Sequence, residues 1–179
     1  MPPMTDNDVR PVVFLDVDGT LLPAGGVQQP ATLEEWNAKW QNSSNPHLAR
    51  LTREHGPRLL ALSCDLMWAT AWMEDANEVI APLLGLPTLP VVDMGELPDI
   101  DDPVFSEDDW TARLHWKTRA LVETAAGRPF VWVDDEITEV DRSWVAAHHP
   151  GRALLHRVAS DSGLTDADLV VVEEWLQGA

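Results

Sequence analysis

Tyrosine is absent from this 179-residue chain, cysteine occurs once, and basic residues are few, 12 Lys and Arg against 30 Asp and Glu. The single cysteine, Cys64, excludes an internal disulfide framework. The formal net charge of -18 repels nucleic-acid backbones and anionic membranes. It repels phosphorylated substrates too, unless a cation is held where the phosphate must land. No apolar run is long enough to span a bilayer. Met1 to Arg10 lacks the basic start and apolar stretch of a secretory signal. These absences lead us to expect a soluble, cytoplasmic protein in a reducing compartment, with no membrane partner. Internal repeats and low-complexity tracts are missing as well.

What is present is a normal apolar content, enough for one core, so a single domain over residues 1–179 is expected. Tryptophan is abundant, at nine. Core filling accounts for most of them. Trp36, Trp40, Trp68 and Trp72 are the candidates for an aromatic wall around a ligand.

Pro11-Val-Val-Phe-Leu-Asp16 reads as a buried strand stopped by a polar Asp-x-Asp-Gly loop. Leu22 to Pro57 is broken by Pro and Gly and reads as a loop or flap insertion, with one short helix around Leu33 to Trp40. Arg58 to Cys64 suits a helix, with strand as the competing assignment. Asp65 to Thr70 is then the second strand, followed by a helix over Ala71 to Leu84. Gly85 caps that helix and Pro82 bends its last turn. Leu89 to Asp93 reads as a third strand. Ser106 with Asp109 resembles a capping box for a helix reaching Ala125. Pro129 to Asp134 is the fourth strand, Ile137 to His148 a helix, and Ala153 to Val158 the fifth strand. Thr165 with Asp168 caps a final helix ending near Leu176. The alternation predicts a Rossmann-like three-layer α/β fold around a five-stranded parallel sheet.

Parallel sheets place their sites at the carboxyl ends of the strands. Those ends here carry Asp16 with Asp18, Thr70, and Asp134 with Asp135. Crowded carboxylates need a cation, and oxygen-only ligands select a hard ion such as Mg²⁺. Lys117 shares a helical face with Trp110, Leu114 and Leu121, so it is expected to point inward toward an anionic partner. Ser63 competes with Thr70 as the second-strand hydroxyl, should Arg58 to Ser63 be the strand.

Val-Phe-Leu-Asp16-Val-Asp18-Gly19-Thr20 resembles the first motif of the haloacid dehalogenase superfamily. Thr70, Lys117 and Asp134-Asp135 follow in the order of its remaining motifs. The resemblance implies an Mg²⁺-dependent phosphatase that hydrolyses a phosphate monoester through an aspartyl-phosphate. It implies Asp16 as nucleophile and Asp18 as general acid and base, with Gly19 and Thr20 in support. Thr70, the Ala71 amide and Lys117 would bind the phosphoryl group. Asp16, the Asp18 carbonyl, and Asp134 or Asp135 would hold the metal. Superfamily members that dehalogenate lack an acid at the position of Asp18, and transport ATPases carry threonine there.

Both places where this superfamily inserts cap domains, here Leu22 to Pro57 and Met94 to Asp109, are short, so a capless member is expected. Leu66 to Asn77, Leu84 to Pro87 and Trp132 to Glu136 are similar to a narrower bacterial group related to the domain of certain RNA-repair proteins. That similarity points to a nucleic-acid phosphate terminus, whereas the acidic balance speaks against nucleic acid. The cationic cluster Arg50, Arg53, His55 and Arg58 reads as a solvated helix face. A phosphatase of nucleic-acid ends, a phosphomutase, and a binding protein on an inactive phosphatase fold are the alternatives.

Overall fold

The structure is a computed structural model, and it describes residues 9–27, 30, 32–95 and 114–178. Four strands, β1 (Val12–Leu15), β2 (Asp65–Trp68), β3 (Phe130–Asp134) and β4 (Ala153–Arg157), form one sheet in the order β2-β1-β3-β4. All pairings are parallel, with Leu15 opposite both Trp68 and Val133. β1 therefore sits where the chain order reverses, the usual place for a crevice in such sheets.

Strand side chains alternate between faces, and both faces are covered. Val13, Leu15, Leu66, Trp68, Val131 and Val133 enter one core. That core is completed by α2 (His55–Leu60), α3 (Ala81–Leu84) and α6 (Asp166–Gln177), through Leu59, Leu84, Leu169 and Val172. Val12, Phe14, Phe130, Trp132 and Leu155 enter the other, against Leu121 and Ala125 of α4 (Thr118–Ala125) and Val145 of α5 (Glu139–His148). Each such side chain, fully buried, contributes about 1.5–3 kcal/mol.

The sheet has four strands rather than the expected five. The Leu89–Asp93 segment meets β2 only at Trp68 and Val91. Two bonds hold it there, from the Trp68 amide to the Pro90 carbonyl (2.8 Å) and from the Val92 amide to the Trp68 carbonyl (2.9 Å). Pro90 has no N–H to extend the ladder. The Leu89 backbone is held instead by the Asn77 side chain, which accepts from its amide and donates to its carbonyl, both at 2.9 Å.

The helix expected from Ala71 starts later. A turn occupies its first residues, with Met73 in the left-handed region at φ 48°. A π-helical turn, Ala76–Ile80, then leads into α3. The wide turn lies just before Pro82, whose ring excludes the normal i−4 bond. Gly85, at φ 68°, ends the helix as expected.

The insertion after β1 holds α1 (Leu33–Glu35), a π-helical turn Trp36–Trp40 and a 3₁₀ turn Pro46–Arg50, matching the short helix expected over Leu33 to Trp40. Its start is pinned to the segment after β4, where the Ala24 amide donates to the Ser160 carbonyl (2.8 Å). α2 covers Arg58 to Leu60, while Ala61 to Cys64 form a turn and bend rather than helix or strand, which leaves Ser63 off the strand ends. The capping boxes at α5 (Thr138 with Asp141) and α6 (Thr165 with Asp168) are both formed. Ser106, Asp109, Trp110 and most of the second cap position lie outside the described residues. Among the described residues, no helix is long and apolar enough to cross a membrane.

Candidate active site

Asp16 directly follows β1, and the chain then reverses in a tight loop. The Leu22 amide donates to the Val17 carbonyl (2.8 Å), and the Gly19 amide to the Leu22 carbonyl (2.8 Å). Gly19 has φ 72°, and a Cβ there would lie 2.3 Å from Asp135 Oδ2. The loop therefore requires glycine twice over, for its backbone conformation and for the packing of Asp135.

Lys117 immediately precedes α4 and is buried, as expected from its helical face. Its Nζ donates to Asp16 Oδ1 at 2.8 Å and to Asp134 Oδ2 at 2.7 Å. It also lies 5.5 Å from the centre of the Trp116 ring. Thr20 Oγ1 donates to the other Asp16 oxygen at 3.2 Å. Asp134, fully buried, accepts further from Trp132 Nε1 (3.2 Å) and the Glu136 amide (3.0 Å). Asp135 is only partly buried and faces a cavity of about 390 Å³ together with Asp16, Asp18, Ala71, Lys117, Trp36 and Trp116.

Two carboxylate oxygens of Asp18 meet two indoles. Trp40 Nε1 donates to Oδ1 at 2.6 Å and Trp72 Nε1 to Oδ2 at 2.9 Å. Of the four tryptophans proposed as an aromatic wall, Trp36 lines the cavity, Trp40 and Trp72 hold Asp18, and Trp68 is a core residue donating to Asn77.

Thr70 sits just beyond β2, fully buried, with Oγ1 accepting from the Trp72 amide at 3.2 Å. Ala71 reaches the cavity from a turn rather than from a helix N-terminus, because the helix begins only at Ala76. Its amide therefore gains nothing from a helix dipole.

The electrostatics follow from four acids around one lysine. Burial raises the Asp16 pKa well above the carboxylate range, and repulsion from Asp134 adds to it, against the pull of Lys117. Burial also opposes the charge on Lys117, but Asp16 and Asp134 outweigh it and drive its pKa up. Asp134 ends below the ordinary value, since the charges of Lys117 and His115 and its hydrogen bonds overcome burial. Asp18 is pushed up to about 6 by burial, despite both indole donors. Asp135 is pushed up to about 6 by burial and by its neighbours Asp134 and Glu136.

Carboxylate oxygens of Asp16, Asp134 and Asp135 come within 4.8 Å of one another. An excess of buried negative charge carried by hard oxygen donors fits a divalent cation such as Mg²⁺. A second group, His115, Asp134 and Glu136, is as compact. Its histidine is already engaged, with Nδ1 accepting from the Lys117 amide (3.2 Å) and Nε2 3.2 Å from Glu136 Oε2.

Asp141 was not anticipated as part of the site. It is fully buried, and its Oδ1 accepts from the His115 amide (2.8 Å) and Thr118 Oγ1 (2.7 Å). The same carboxylate closes the α5 capping box with Thr138. It thus ties α5 to the segment carrying Lys117. The helix over Ile137 to His148 was expected, but not its cap, and the second partner of Asp141 lies across the fold.

A parallel sheet carrying paired acids after β1 and β3, with a buried lysine between them, defines a domain of the haloacid dehalogenase class. Residues 12–169 match the family described as the HAD domain in Swiss Army Knife RNA repair proteins, and the chain belongs to that family. Comparison with curated proteins finds no match.

Proposed function

We propose that this protein is an Mg²⁺-dependent phosphatase acting on a phosphate monoester through Asp16. The observation that carries the reading is the convergence of Asp16, Asp18 and Asp135 on one cavity, with the buried Lys117 ammonium 2.8 Å from Asp16.

A carboxylate oxygen of Asp16 attacks phosphorus, a P–O bond to Asp16 forms and the ester P–O bond breaks. Asp18, protonated, gives its proton to the departing oxygen. Its elevated pKa suits that role near neutral pH. Asp18, now ionised, takes a proton from water, which attacks the aspartyl-phosphate and releases phosphate. Lys117 balances charge on the transferred group, and Thr70 with the Ala71 amide contacts the phosphoryl oxygens. Asp16, the Asp18 carbonyl and Asp135 would hold Mg²⁺, Asp135 being favoured over Asp134 because it faces the cavity. When bound, Mg²⁺ supplies the positive charge that lets an anionic nucleophile approach an anionic ester.

The family description names RNA repair, which makes a nucleic-acid terminal phosphate the second reading. Phosphate release from sugars, nucleotides, phosphoamino acids and oligonucleotide ends, with Mg²⁺ or chelator, tests both. Mg²⁺-dependent release that Asp16→Asn abolishes is expected. Release unaffected by Asp16→Asn would refute the nucleophile, and a best substrate among oligonucleotide ends would select the second reading.

A further inference from the structure

We propose that Trp40 and Trp72 are positioning residues that hold the Asp18 carboxylate in its working orientation, one indole N–H on each oxygen. The proposal rests on Asp18 serving as acid and base in the phosphatase reading above.

The two donors come from different parts of the chain. Trp40 ends the π-helical turn of the insertion, and Trp72 lies in the turn after β2. Both are buried, at 5% and 1% exposure, and both are anchored through their backbones. Asn45 Nδ2 donates to the Trp40 carbonyl at 3.0 Å, and the Trp72 amide donates to Thr70 Oγ1 at 3.2 Å. Asp18 itself sits in a tight loop on a short side chain, and its carboxylate must meet first a leaving oxygen and then a water. An indole N–H only donates. Two fixed donors therefore orient the carboxylate without competing as acceptors for its proton.

A buried indole needs some acceptor, and satisfying that need alone would explain a single contact. Here two indoles converge on one carboxylate with one oxygen each. Trp68 and Trp132, also buried, use Asn77 and Asp134 instead. The arrangement further couples the insertion to the chemistry, because the same π-helical turn brings Trp36 to the cavity wall. Thr70 acquires a role through Trp72 as well.

The first test reads the contacts without any turnover. In a ¹H–¹⁵N spectrum, the nine indole N–H signals are assigned partly by Trp40→Phe and Trp72→Phe, each of which removes one. Asp18→Ala should move those two signals upfield and leave the other seven near their places. Asp18→Asn, closer in shape, serves if the alanine variant does not fold. Unmoved Trp40 and Trp72 signals would overturn the proposal.

The second test separates positioning from mere structural support. With Mg²⁺, kcat/KM of each Phe variant should fall roughly 10- to 100-fold on an alkyl phosphate, whose alkoxide needs a proton. On 2,4-dinitrophenyl phosphate, whose phenolate leaves unprotonated, the loss should stay within about threefold. Equal losses on both esters would show a structural role only and overturn the positioning claim. A native protein that hydrolyses neither ester, with the two signals still responding to Asp18, would refute the phosphatase reading while leaving the paired contacts in place.

Discussion

Replacing Lys117 by Met should show how the acid cluster is held together. The ammonium lies 2.8 Å from Asp16 and 2.7 Å from Asp134, with a side chain only 4% exposed. Met has a similar length and no charge, so it leaves two carboxylates unpaired in a buried site. Removing one partner of a buried ion pair costs about 3–5 kcal/mol. For a chain of this size that corresponds to a fall in Tm of about 6–20 °C. The pH dependence has a definite sign. Without the ammonium, burial, the largest cause at each, should hold both Asp16 and Asp134 above the ordinary carboxylate value of 3.8. A raised carboxyl contributes its stability below 3.8 and loses it as pH rises through the folded value. In the native protein Asp134 lies below the ordinary value, so its contribution is present above 3.8 instead. The deficit of Lys117→Met should therefore be largest near pH 7 and shrink toward pH 4. Urea unfolding followed by tryptophan fluorescence, in chelator at pH 7 and pH 4.5, measures it. Adding Asp16→Asn to Lys117→Met should recover much of the loss, since one of the stranded charges goes. An unchanged midpoint at pH 7, or a deficit equal at both pH values, would refute the argument.

Native protein in chelator should lose stability as pH rises from about 4 to 7. Asp18 and Asp135 are both pushed up to about 6, and such groups stabilise below 3.8 and cease to do so above their folded values. For Asp18 alone the rise corresponds to about 3 kcal/mol. Calorimetry with and without Mg²⁺ checks this: the ion should raise Tm at pH 7.5 and flatten the slope, whereas a flat metal-free curve would sink the idea. Gly19→Ala should displace Asp135 and strain the loop by about 1–3 kcal/mol, so Mg²⁺ titration should show weaker binding, and unchanged affinity would contradict the packing seen at Gly19. Thr165→Ala removes the α6 cap and should cost about 1 kcal/mol, read as a small drop in Tm with Mg²⁺ binding unaltered.

Much of this site was legible because its carriers sit at the ends of apolar strands. The run before Asp16 and the run before Asp134 are buried throughout, so their acids had to emerge at one sheet edge. Lys117 was placed inward from its helical face, although that face is only partly helical: α4 begins one residue after it. The third strand failed because the adjacent Val91 and Val92 outweighed Pro90 in the reading, and because the Asn77 side chain takes hydrogen bonds that a ladder would have used. The helix from Ala71 failed for a local reason, since its apolar spacing is real but Met73 turns left-handed at its start. The Asp18 indole contacts span 22 and 54 residues of chain, and Asp141 reaches 26 residues back to His115. No period or spacing reports such pairings, which exist only once the two faces of the sheet are packed.

The truncated pairing beside β2 bears on how the molecule behaves among its own copies. A sheet border offers a row of open amides and carbonyls on which another chain can build. Here the Trp68 end of that border is taken by Pro90 and Val92, in a segment that attaches at one bridge and brings Pro87 and Pro90 with it. Proline cannot donate to an incoming strand, and the Leu89 amide is already bonded to Asn77. The short segment that cost the fold a strand thus closes the Trp68 end of β2 to an incoming strand.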